Sequence, residues 1–220
     1  MKVNEILPGL YFIQFKEQYT VAMTFLRVQE YYESSFTEFR GKYFPLEDYM
    51  DRYAKWKGNF TYPSDWAGFN VPGNVYMEWC QLFWSFPDIL EKEVALYNKI
   101  LPIIRKRDKD FYLIATADAG KHLDHEIAHG LYYLNPKYKK EMDSLLNTRT
   151  KFYKDFKKEL LVMGYCKEVI HDEIQAYTST QSFGSLIKDG FIAKQNIKNV
   201  ELVNKIQSVF KKYTKGVLDV

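Results

Sequence analysis

The segment from Phe111 to Pro136 constrains this chain more than any other. It opens on Phe111-Tyr-Leu-Ile-Ala-Thr-Ala117, an apolar, partly β-branched run that reads as a strand. Asp118-Ala-Gly120 supplies a turn. From Lys121 to Leu134 the residues Leu123, Ile127, Leu131 and Leu134 recur at helical spacing. Asn135-Pro136 then stops the helix, because the residue before a proline avoids the α region. A strand feeding a helix through so short a turn calls for a sheet with a helix packed on it.

The rest of the chain reads as mostly helical. Residues 9–15 suggest a short strand, and Thr20 to Tyr32 fits helix or strand equally well. A helix is expected from Pro45 to about Trp56. The punctuated, aromatic stretch 57–76 reads as a long loop, with aromatics that either plug the core or wall a cleft. Helical patterns resume at 77–101 with an interruption near Pro87, and recur at 137–147, 151–163, 166–180 and 198–213. The expected fold class is α+β, mostly helical, with a small sheet preceding the helix at 121–134. One domain spans 1–220: a mixed N-terminal part to residue 110, then a strand plus helices from 111 onward.

Composition narrows the function. Of the 220 residues 46% are hydrophobic, which excludes global disorder. A net charge of +3 is too small for a dedicated nucleic-acid binder, so no nucleic-acid partner is expected. Cys80 and Cys166 are too few and too far apart for a disulfide framework and read as buried thiols. No window approaches the ~20 apolar residues of a membrane span. Nor does the N-terminus resemble a secretory signal, so a cytoplasmic location is expected.

Three of the four histidines lie within eight residues, at His122, His125 and His129. His125-Glu126-x-x-His129 is an HExxH on the expected helix. At 100° per residue, His125 and His129 stand about 40° apart and one turn along, so both imidazoles reach one metal ion. Glu126, about 100° away, can take a proton from water without occupying a ligand position. The apolar anchoring residues fall on the opposite side of the helix.

Catalytic zinc usually has three protein ligands. Positions 132 and 135 are Tyr and Asn, so no third histidine follows closely. The segment His171-Asp172-Glu173-Ile174-Gln175-Ala176-Tyr177 offers the remaining candidates. Glu173 sits within the apolar stripe of its helix, and a buried carboxylate needs a partner such as a metal ion. Asp172 and His171, toward the polar side, remain alternatives. Tyr177, one turn after Glu173, and Tyr132, three residues after His129, are the candidate donors to an oxyanion, although packing is the commoner role for a tyrosine in a chain with 18 of them. Asp124 is a possible acceptor for a ligand imidazole, and Gly130 suggests a close approach by another backbone.

HEIAH followed by a glutamate on a later helix resembles the gluzincin branch of the zinc metallopeptidases. The resemblance covers about residues 111–180, although DEIQAY stands where that group usually carries an NExxSD-type pattern. It implies a zincin-like core in which His125, His129 and Glu173 bind one Zn²⁺ per chain and Glu126 is the general base. It also implies that 111–117 is an edge strand able to pair with an extended peptide. The expected function is therefore a zinc-dependent hydrolase, a peptidase or amidohydrolase acting on a peptide or protein substrate. A zincin-like domain that binds metal without turnover, and a metal-free helical interaction protein, are the alternatives.

Overall fold

A computed structural model describes residues 1–106, 110–117, 121–192 and 197–216. The turn expected at 118–120 lies outside the described residues. Four strands form one sheet: β1 (Lys2–Leu7), β2 (Leu10–Gln14), β3 (Gly68–Pro72) and β4 (Tyr112–Thr116), in the order β1-β2-β4-β3. β2 and β4 run parallel, while β1 and β3 are antiparallel to their neighbours. Between β2 and β3 lie α1 (Gln18–Glu33), α2 (Leu46–Lys57) and α3 (Tyr62–Asp65). α4 (Gly73–Phe83) and α5 (Glu91–Lys106) lead on to β4. The chain is then helical: α6 (Lys121–Leu134), α7 (Pro136–Leu145), α8 (Lys151–Met163), α9 (Ile170–Thr180), α10 (Phe183–Lys188) and α11 (Ile197–Thr214). The class is α+β, as the sequence predicts, and the sheet is mixed and four-stranded.

Alternation along the strands gives the sheet two buried faces. Ile13, Phe69, Val71, Leu113 and Ala115 pack with Phe25 of α1, Trp79 and Phe83 of α4 and Leu96 of α5. Leu10, Phe12, Tyr112 and Ile114 pack with Ile127 of α6, Phe156 of α8, Ile174 of α9 and Ile206 of α11. Both faces are covered by helices, so neither hydrophobic surface meets water.

Local chemistry places several boundaries. Asn135 caps α7 by accepting from the Lys137 and Tyr138 N–H groups at 3.1 Å. Thr150 caps α8 by accepting from the Tyr153 N–H at 3.2 Å. Gly164 ends α8 at φ 103°, a left-handed conformation that favours glycine. Cys80 and Cys166 are free and buried, as expected. Among the described residues no helix is long and apolar enough to cross a membrane.

Three expectations need correction. The stretch 57–76 is not one long loop: it holds α3, β3 and the start of α4. β3 is five residues with a glycine and a proline at its ends, a weak local signal that becomes a strand because β4 offers it a partner. Second, the strand within 111–117 is not at the edge. β4 is interior, between β2 and β3, and β3 is the edge strand beside α6. Third, the Cβ missing at Gly130 would meet the Leu10 side chain at 2.4 Å, so it is a side chain rather than a backbone that packs there. The ambiguous Thr20–Tyr32 stretch is helical, within α1. β1 and α10 were not foreseen.

Candidate metal centre

The centre forms where α6 packs against α9. Ile127 and Leu131 anchor α6 in the core below the sheet, which turns His125 and His129 toward α9. Glu173, on α9, is 2% exposed and faces them. The Nε2 atoms of His125 and His129 are 3.1 Å apart. His125 Nε2 lies 3.5 Å from Glu173 Oε2, and His129 Nε2 lies 3.4 Å from Glu173 Oε1. Ligand atoms placed tetrahedrally at zinc-like bond lengths stand about 3.3–3.4 Å apart. The three side chains therefore have the spacing of a shared ion, and they form a group that can hold one. Glu173 Oε2 is buried without a hydrogen-bond partner, an omission that a cation would repair.

The surroundings orient this group. His129 Nδ1 lies 2.9 Å from Asp172 Oδ2, the distance of a charge-assisted hydrogen bond, although the approach is off its ideal line. Gln175, fully buried, braces the pair of helices. Its Nε2 donates to the Ala128 carbonyl at 3.2 Å and to Asp172 Oδ1 at 2.8 Å, and its Oε1 accepts from Tyr138 at 3.0 Å. Such partners fix the tautomer and ring orientation of a ligand histidine. Burial disfavours a charged His129, yet Asp172 and Glu173 outweigh it and hold the imidazole well above its usual range. Asp172, weighed from sequence as a ligand, thus stands behind His129; no such contact joins Asp124 to the ligands.

Glu126 is 5% exposed and sits beside the ligands without joining them. Asn70 of β3 donates to its Oε2 at 3.0 Å, and Tyr112 of β4 donates to Asn70 Oδ1 at 2.5 Å. Its Oε1 fills the space beside Gly68, where an added Cβ would come within 2.1 Å. Burial pushes the Glu126 carboxyl up, against the opposing pull of His125 and His129. Sequence reasoning missed Asn70 and Gly68 because both fell in the supposed loop.

Two hollows meet at the centre. A cleft of about 410 Å³ is lined by His122, His125, Glu126, Tyr165 and Tyr177, with α10 on its far side. A narrower cavity of about 70 Å³ leads from the same residues toward α1 and α2, past Glu30 and Glu33. The Tyr177 ring packs edge-on to His125, with centroids 4.5 Å apart, and its hydroxyl is 2.9 Å from that of Tyr165. Burial, with Glu173 nearby, raises both phenols and keeps them protonated. The Tyr132 hydroxyl is instead committed to Asp143 at 2.6 Å, beside His171. Tyr165 had no distinguishing signal among 18 tyrosines.

Comparisons of the chain with protein-family models, with curated proteins and with solved structures find no match. Fold and site together define a class: an α+β protein whose buried His-His-Glu group can hold a metal ion.

Proposed function

We propose that the protein is a zinc-dependent hydrolase that cleaves an amide bond, with His125, His129 and Glu173 as metal ligands and Glu126 as general base. The observation that carries this reading is the 3.1–3.5 Å spacing of the three ligand groups with a buried carboxylate, Glu126, beside them. Zinc is preferred by the donor set of two imidazoles and a carboxylate, and when bound it would supply Lewis-acid polarisation of a carbonyl and acidify water. Glu126, steadied by Asn70 and Gly68, accepts the proton of the attacking water and passes it to the leaving amine. In the Tyr165–Tyr177 pair only one hydroxyl donates to the other, which leaves one O–H for a developing oxyanion in the cleft. The likeness to gluzincins rests on α6 carrying HExxH and α9 carrying the glutamate.

The edge of β3 limits how a peptide substrate enters. The Asn70 N–H points away from β4 and is taken by Gln29 Oε1 of α1 at 3.2 Å. Pro72 has no N–H, so among the described residues of this strand Gly68 is the one whose alternation leaves an N–H pointing outward beside Asn70. A substrate then lies in the cleft beside α10 and touches β3 only near Gly68. This closure also favours the second reading, a metal-binding domain without turnover.

Metal content and peptide hydrolysis test both. Protein purified without chelator should hold about one zinc per chain, retained in Glu126→Gln and lost in His129→Ala. Hydrolysis should fall about 10²–10⁴-fold in Glu126→Gln. Failure of the wild type to bind offered zinc would overturn the reading; zinc with no turnover of any peptide would leave the second.

A further inference from the structure

The narrow cavity behind the centre has a chemistry of its own. Glu30 and Glu33, one turn apart on α1, line it together with Glu173 and Glu126. No lysine or arginine is among its described lining residues. Glu30 accepts hydrogen bonds from Ser34, Tyr49 and Tyr62, and burial raises its carboxyl and that of Glu33, so what the pair lacks among the described lining residues is a cation. Glu173, buried and with an oxygen that lacks a hydrogen-bond partner, lies on the same wall. Aromatic rings of Phe36, Tyr49, Tyr53, Tyr62 and Trp66 form much of the rest. Gln29 donates to Glu33 Oε1 at 2.6 Å.

Carboxylates framed by aromatic faces are the setting that proteins use to bind an organic cation out of water. At about 70 Å³ the cavity has room for about five water-sized groups. That suits the end of a substrate and not a folded surface. An alkylammonium fits this volume and brings three donors.

We infer that the cavity is a specificity pocket for a primary ammonium group of the substrate, received by Glu33 and Glu30 beside the metal centre. The inference rests on the hydrolase reading for what happens to that substrate, but not for whether the ammonium binds. The group comes from one of two sources, the free amino terminus of a peptide or a lysine side chain. The cavity joins the cleft at Gly68, His125, Glu126 and Tyr165, so a substrate held there presents its neighbouring amide to Glu126.

Calorimetric titration of zinc-loaded Glu126→Gln protein tests the pocket without turnover. Butylammonium should bind and butanol should not, a comparison that needs no pocket variant. Glu33→Gln and Glu30→Gln, each placed in that background and checked for zinc content, should weaken butylammonium at least about tenfold. Alaninamide and Nα-acetyl-lysine amide then separate the sources: tighter binding of the first assigns the terminal amine, and of the second the side chain. Equal binding of butanol and butylammonium overturns the inference, as does a second zinc per chain that is lost in Glu33→Gln. Hydrolysis of acetylated, lysine-free peptides by a protein that ignores butylammonium would sink the pocket and keep the hydrolase. Butylammonium binding by a protein that hydrolyses nothing would do the reverse.

Discussion

Glu126 shows how much of a site can depend on an atom that is not there. Its Oε1 occupies the space where any residue other than glycine at position 68 would carry a Cβ. Its Oε2 is held by Asn70, which Tyr112 holds in turn. Gly68→Ala must therefore displace the carboxylate. Overpacking of this kind costs about 1–3 kcal/mol. A shift of about 1 Å in a reacting group can lower turnover about 10²-fold. The expected outcome is zinc content near wild type with hydrolysis reduced about 10²-fold; unchanged turnover would show that Glu126 is free to move. The HExxH spacing announces His125, Glu126 and His129 because helical geometry alone brings them together. Gly68 and Asn70 carry no such mark, since what they touch is remote in sequence.

At the scale of elements, the centre is a property of the α6–α9 pair. Gln175 bridges the two helices and orients Asp172 against His129. Gln175→Leu would fill similar space but leave the Tyr138 hydroxyl without this acceptor and the Ala128 carbonyl without this donor. Asp172 Oδ1 would also lose this donor. Unmade buried hydrogen bonds of this kind cost about 1–3 kcal/mol each. The variant should lose about 3 kcal/mol in denaturant unfolding, and zinc affinity should drop about 10–100-fold. A loss of stability with unaltered zinc affinity would make the brace purely architectural. The helices themselves were legible: the 121–134 and 151–163 segments carry both periodicity and stop signals. β3 was not, because a five-residue strand between glycine and proline is stabilised by its partner and not by its own propensities.

At the scale of the whole molecule, the fold gathers acids around one point. Burial raises the carboxyls of Glu30, Glu33 and Glu126 above their ordinary value of 4.5. Without metal, the folded chain then binds more protons than the unfolded chain above that value, and stability falls as pH rises through the window. His129, also raised, contributes stability below its unfolded value near 6.5 that is lost as pH climbs through its folded one. The signs agree. Chelator-treated protein should melt at a higher temperature near pH 6 than near pH 8, and zinc should stabilise most at the higher pH, where it competes with fewer protons. A melting temperature that rises with pH in the metal-free protein would contradict this charge arrangement.

The sequence by itself determined the α+β class, most helices, the placing of His125 and His129 on one face of a helix, and the burial of Glu173. These follow from local periodicity and from helical spacing, which one chain segment contains in full. Tertiary structure alone decided that β4 is interior, that β3 forms the edge and that Gln29 closes part of it. It also decided that Asn70 and Gly68 steady the base, and that α1 brings Glu30 and Glu33 to the centre. Each of these depends on contacts between residues tens of positions apart, whose free energy appears only when the sheet and its two helical layers assemble together.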